Sequence, residues 1–197
     1  MGNGRSSTDN DDSKIAVSKI KIGAKISIAE FVKLSFEAIL KRCKNNVIEN
    51  SGNSSIASNS GYRSMASNSG LGSMASNSGN SSIASNSGNS SIASNSGLGS
   101  MASNSGNSSI ASNSGDSSMA SNSGDSSIAE VSGENSIAII WGIDCKAKAS
   151  LGSWICLSEW IMEDKWILKN VKVAKIDGKK LKADTFYKLE DGKFIEV

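Results

Sequence analysis

Serine is the side chain this sequence offers most freely for chemistry, yet nothing around any one serine equips it to react. A serine nucleophile needs a base beside it, and the chain has no histidine, so a Ser-His-Asp arrangement cannot be assembled. A Ser-Lys pair is chemically conceivable, but no serine stands apart from the others in its surroundings. Cys43, Cys145 and Cys156 are widely spaced and form no CxxC pair, so they read as small isolated thiols rather than as a disulfide framework or a zinc site. The adjacent carboxylates Glu163 and Asp164 fall in a charged stretch that reads as a turn. No phosphate-binding glycine loop and no cluster with metal-ligand spacing occurs. The expectation is a protein that is not an enzyme, with no catalytic residues, no cofactor and no metal.

The serines belong instead to a repeat. Val47, Ile56, Met65, Met74, Ile83, Ile92, Met101, Ile110, Met119, Ile128 and Ile137 follow one another at intervals of nine residues. Glycine keeps the same interval from Gly52 to Gly142, and asparagine from Asn50 to Asn122. The consensus is S-N-S-G-x-S-S-[I/M]-A. A disordered linker has no reason to hold three positions in phase, despite a composition that otherwise suggests one. One apolar residue in nine makes no helical stripe, and Gly and Ser are poor helix formers. A short strand at [I/M] and a bend at S-N-S-G satisfy the pattern, with Asn and Gly tolerating positive φ in the bend. Two units close one coil, and stacked coils form a parallel β-solenoid of roughly five turns. On this reading a single Ile or Met per half-coil fills a thin interior, and the Asn residues stack into amide ladders. The unit resembles the RTX nonapeptide of calcium-binding β-rolls. Serine replaces the calcium-binding aspartate of that motif in most units, and Asp116 and Asp125 fall one residue earlier, so the roll geometry carries over without the ion.

The flanks read as caps for the open ends of the solenoid. "KIKIGAKISI" alternates like a strand, and "AEFVKLSFEAILKRC" reads as a helix apolar over most of its circumference. Beyond Ile137 lie all four tryptophans and two hairpin signals, Asp177-Gly178 and Asp191-Gly192. Strands are expected near 153–161, 165–176, 180–189 and 193–197. The fold class is therefore all-β: a disordered N-terminus at 1–13, a strand-helix cap at 14–46, the nonapeptide solenoid at 47–142, and a C-terminal antiparallel β cap at 143–197.

"SKIKIGAKISIAEFVKLSFEAIL", the tandem repeats and the tail "KAKASLGSWICLSEW…VKVAKIDGKKLKADTFYKLEDGKFIEV" together resemble an uncharacterised family of prophages and gut-bacterial genomes, particularly of Firmicutes and Fusobacteria. The resemblance spans about residues 13–197 and implies a mobile-element setting. No catalytic residue is carried over with it.

Charge adds little. With 21 basic and 19 acidic residues, the balance announces neither nucleic acid nor membrane. The lysine-rich tail offers only weak support for a nucleic-acid contact. No stretch is apolar enough to cross a bilayer, and no signal peptide is evident, so a cytoplasmic location in the host cell is expected. What remains is a non-catalytic interaction protein that docks on and blocks a host protein, for example as an anti-CRISPR type inhibitor of a defence effector. A nucleic-acid-binding or scaffolding solenoid is the alternative, and binding to a surface such as ice a lesser one. Units that depart from consensus mark the candidate contact residues: Tyr62, Arg63, Leu71, Leu98, Asp116 and Asp125, all just after the glycine. Trp154 and Trp160 join them as aromatic anchors. A homodimer through the helix carrying Phe31 and Phe36, or through the C-terminal β segment, is also conceivable.

Overall fold

A computed structural model describes the strands at residues 7–8 and 15–16 and the continuous stretch 46–197. In a separate N-terminal unit, β1 (Ser7–Thr8) pairs antiparallel with β2 (Ile15–Ala16). The strand expected at 20–28 and the helix bearing Phe31 and Phe36 lie outside the described residues.

From residue 46 onward the described residues are all-β and wind into a β-solenoid of about six turns. Each nine-residue unit contributes one four-residue strand, and successive strands alternate between two sheets. The first sheet stacks β3 (Val47–Asn50), β5 (Met65–Asn68), β7 (Ile83–Asn86), β9 (Met101–Asn104), β11 (Met119–Asn122), β13 (Ile137–Ile140), β15 (Trp154–Met162) and β16 (Trp166–Lys175). The second stacks β4 (Ile56–Asn59), β6 (Met74–Asn77), β8 (Ile92–Asn95), β10 (Ile110–Asn113), β12 (Ile128–Val131), β14 (Lys146–Ala149), β17 (Tyr187–Glu190) and β18 (Lys193–Glu196). Pairing through the repeats is parallel and in phase, with Ile92, Ile110 and Ile128 in one file and Ala93, Ala111 and Ala129 in the next. Parallel stacking runs on past residue 142. β14 pairs with β12, and β15 with β13, although the spacing there shortens because the consensus glycine is missing after Ser150.

The interior is the reverse of the expected one. Ile and Met face outward, and the alanine that follows each of them points in, fully buried at Ala57, Ala66 and onward to Ala147. The reason is dimensional. Two four-residue strands joined by five-residue turns enclose too narrow a space for opposed Ile side chains, whereas alanine needs almost none. The remaining inward positions are the serine before each strand and the asparagine that ends it, both buried.

Buried polar groups need partners, and most of these have them, with Asn86 Oδ1 and Asn104 Oδ1 as the exceptions. Asn95 Nδ2 donates to the carbonyls of Ser82 (3.0 Å) and Met101 (3.2 Å), while its Oδ1 accepts from the N–H of Gly97 at 3.2 Å. Asn113 repeats this with Ser100, Met119 and Gly115. The asparagines therefore staple strand ends to the backbone across the corner rather than forming the expected amide ladders. The serines do form files: Ser91 Oγ accepts from the N–H of Ser73 at 3.1 Å and donates to Gly70 O at 3.3 Å. Cys145 occupies one of these serine sites, its Sγ accepting from Ser127 N–H and donating to Gly124 O.

The consensus glycine also serves a different purpose from the expected one. Its φ is not positive, but a Cβ on Gly106 would lie 2.0 Å from Gly88 O, and Gly97 and Gly124 are as tightly placed. Glycine is there so that one coil can rest on the carbonyl of the last. Positive φ falls two residues later, at Ser54, Arg63, Ser81, Ser90 and their equivalents, with Gly72 and Gly99 filling the same slot in two units.

Toward the C-terminus the interior turns apolar. Val131 and Ile140 replace asparagine, and they join Ile155, Leu157, Ile176, Leu181, Tyr187 and Leu189 in one cluster. β15 outruns the coil and folds back on β16, with a bulge between Glu159 and Trp160. Asp191-Gly192 forms the expected two-residue hairpin: both residues have positive φ, and Glu190 pairs with Lys193. Asp177-Gly178 does not join a hairpin. Its Oδ1 instead accepts from the N–H groups of Lys179, Lys180 and Leu181, turning the chain from the first sheet to the second. The strand expected at 180–189 accordingly begins only at Tyr187.

Candidate interaction surface

Alternation in a strand places every second residue on one face. With Ala and Asn inward, each solenoid sheet presents a file of Ile and Met beside a file of mostly Ser. On the first sheet the apolar file runs Val47, Met65, Ile83, Met101, Met119, Ile137, Trp154. On the second it runs Ile56, Met74, Ile92, Ile110, Ile128 and then changes to Lys146, with Glu130 and Lys148 in the neighbouring file. Glu130 pairs with Lys148 at 3.1 Å, and Lys146 and Lys148 flank the Phe186 ring. The second sheet thus ends in charge and the first in aromatic surface. Rungs repeat at ~4.8 Å, so both faces are regular arrays.

The candidate contact residues named from the sequence do not form one patch. Tyr62, Leu98 and Asp116 line one corner of the solenoid, and Leu71 and Asp125 line the opposite corner, because successive units turn at alternate edges. Tyr62, Leu71 and Leu98 are exposed. Arg63 stacks its guanidinium 5.2 Å from the Tyr62 ring and takes the positive-φ slot of its turn. Asp116 and Asp125 are committed to the fold: their Oδ1 atoms accept from the N–H of Glu134 (2.7 Å) and Ile143 (2.8 Å) one coil on. Asn53, Asn89 and Asn107 do the same at their corners, so aspartate here stands in for asparagine. Trp160 is also structural: its Nε1–H donates to Trp141 O at 2.8 Å, and the two rings meet edge to face at 6.3 Å. Trp154 is 43% exposed at the end of the first sheet's apolar file.

The sequence predicts the strands of the β15–β16 hairpin but singles out only Trp154 and Trp160 on it. Trp154, Cys156, Ser158, Trp160 and Met162 lie opposite Lys175, Val173, Val171, Leu168 and Trp166 on the side away from buried Ile155, Leu157 and Glu159, and of these Ser158 is itself buried, its Oγ donating to Gly142 O. Met162, Trp166, Leu168, Val171 and Val173 are exposed. The signal available was Trp166, Leu168, Val171 and Val173, two alternating pairs set either side of Lys169 in β16.

Beneath this hairpin sits Glu159. Burial opposes its charge, but hydrogen bonds from Asn170 (2.7 Å), the Gly192 N–H (2.8 Å), Lys169 and the Asp191 N–H outweigh it and pull its pKa down to about 2. The carboxylate so ties β15, β16 and the β17–β18 turn together. Cys145 is shifted the other way, to about 11, chiefly by burial and further by Asp125 and Asp144. A thiol held protonated can donate to Gly124 O, which is what its site requires, and it is a poor nucleophile. Among the described residues no group of three or more His, Cys, Asp or Glu is placed to hold a metal, and no helix is long and apolar enough to cross a membrane. No family model, no curated protein and no solved structure matches the chain.

Proposed function

We propose that this chain is a non-catalytic docking module that binds a partner protein across the flat face of the first sheet. One observation carries the reading: the repeat's only large apolar side chain points outward in rung after rung, while the interior is closed by Ala, Ser and Asn without it. Contiguous apolar files of this length, rimmed by serine, mark contact surfaces more often than bare protein surface. The mobile-element setting implied by the resemblance makes a host protein the natural partner, with blockage of that protein as the outcome. The chain has no histidine, and Asp116, Asp125 and Glu159 are engaged in backbone hydrogen bonds, which supports the non-catalytic reading.

The test is a pull-down from host lysate with the full chain and with a Met101→Lys/Met119→Lys variant. Both changes lie in the middle of the file and on the outside of the coil. A stoichiometric protein captured by the native chain and lost with the variant supports the reading. Capture of nucleic acid alone, or capture indifferent to the substitutions, rejects it. The in-phase register gives a second reading, binding to an ordered surface such as ice, and inhibition of ice recrystallisation by the native chain would favour it.

A further inference from the structure

Past the width of the coil, the hairpin of β15 and β16 continues as a two-stranded arm. β13 covers only Trp154 to Cys156 of β15, yet the β15–β16 pairing extends to Met162 and Trp166. Two strands alone make a marginal structure in water. The arm's inner side is held through Glu159, which meets the Asp191-Gly192 turn, and through Lys169, which reaches Asp191 at 3.0 Å. Its outer side is covered only near Ser158 and Trp160, by Trp141 and Gly142, and Trp154, Met162, Trp166, Leu168, Val171 and Val173 are exposed there.

Charge along the arm is polar in arrangement. The tip carries Glu163 and Asp164 with one Lys165, a net negative end, and the base carries Lys175 with Lys179 and Lys180 in the following turn. None of these six has an ion-pair partner among the described residues. Asp177, the acid nearest the base, spends its Oδ1 on three backbone N–H groups.

We infer that two copies of this chain pair through these arms, outer face to outer face and antiparallel about a two-fold axis. That orientation is selected by the charges. It lays the acidic tip of each arm over the basic base of the other, about 33 Å along a ten-residue strand, whereas a parallel stack sets acid on acid and lysine on lysine. The exposed apolar side chains amount to about 600 Å² per copy, so pairing buries roughly 1,200 Å² in total, at the lower bound of specific interfaces. Tryptophan and methionine suit such a contact in type. Pairing by the free edge of β16 is opposed by its bulge and by Lys172 and Lys175 along that strand. A face-to-face stack leaves that edge alone.

Sedimentation equilibrium on the full chain reads the outcome. The native protein dimerises with a micromolar constant. Trp166→Ser/Val173→Lys is monomeric, with an unchanged far-ultraviolet spectrum. Glu163→Lys/Asp164→Lys weakens the dimer at least tenfold, and so does Lys175→Glu/Lys179→Glu. An equimolar mixture of those two charge variants recovers native affinity as a heterodimer, which a merely structural role for these residues would not produce. A native chain that stays monomeric at high micromolar concentration overturns the proposal, as does a dimer untouched by the apolar variant or a mixture that fails to associate. Partner capture is scored separately through Met101 and Met119, which lie on the same sheet face but at least two strands away from the arm.

Discussion

Replacing Asn113 by alanine separates the observed interior from the expected one. Its side chain makes three buried hydrogen bonds: to Ser100 O at 3.0 Å, to Met119 O at 3.1 Å, and from Gly115 N–H at 3.1 Å. Ser100 O keeps the N–H of Met119 as a second donor, so its loss is partial. The Gly115 N–H has no other acceptor in the coil, and an orphaned buried donor costs about 1–3 kcal/mol. Two weakened carbonyls add about 1 kcal/mol, and the space vacated in a closed interior roughly another 1. The expected loss is about 3–5 kcal/mol. Ile110 stands three residues earlier in the same strand, half-buried on the outer face. Truncating it to alanine removes about half of a full side-chain burial, so about 1 kcal/mol. Urea unfolding followed by circular dichroism gives both numbers, and hydrogen exchange at Gly115 reports the local effect, since a stacked array responds coil by coil. Asn113→Ala and Ile110→Ala costing the same, or Ile110→Ala costing more, would refute this account of the interior.

Other outcomes follow from the same geometry. Gly106→Ala sets a Cβ 2.0 Å from Gly88 O and forces two coils apart, so it destabilises by several times the ~1 kcal/mol of an ordinary surface change in a melting experiment. Glu159 has its folded pKa depressed from 4.5 to about 2, so it stabilises the fold above pH 4.5 and loses that contribution as pH falls toward 2. The drop of about 2.5 units corresponds to an upper bound of about 3 kcal/mol, and Glu159→Gln flattens the stability profile across that window, measured by urea midpoints at a series of pH values. Cys145→Ser restores the repeat's own residue and leaves the melting temperature unchanged or raised. In the native protein, mass spectrometry after brief alkylation finds Cys145 modified far more slowly than half-buried Cys156.

Periodicity made the solenoid legible, because a nine-residue interval with one glycine admits few other folds. Which side of the strand faces in was not legible from hydrophobicity, although another signal was present. Alanine follows the [I/M] position without exception from Ala57 to Ala147, whereas that position itself drifts among Ile, Met and Lys. Invariance marks the cramped side and tolerance the open one. The glycine was misassigned for a related reason: a close approach between coils leaves no local trace, while a turn does. Asp191-Gly192 was readable because a two-residue turn is a local matter, and Asp177-Gly178 was not, because the strand before it has its partner on the other side, in β15. The role of Glu159 could not be seen at all, since its partners Asp191 and Gly192 are remote in the chain.

Alternation of strands between two sheets has a bearing on how such an array can change length. Inserting or losing two units adds or removes one whole coil and leaves everything downstream where it was. A single unit gained or lost would move every later strand to the opposite wall, carrying the tryptophan-bearing hairpin and its latch with it. Recombination among near-identical repeats is thus free to work in steps of eighteen residues and heavily penalised in steps of nine.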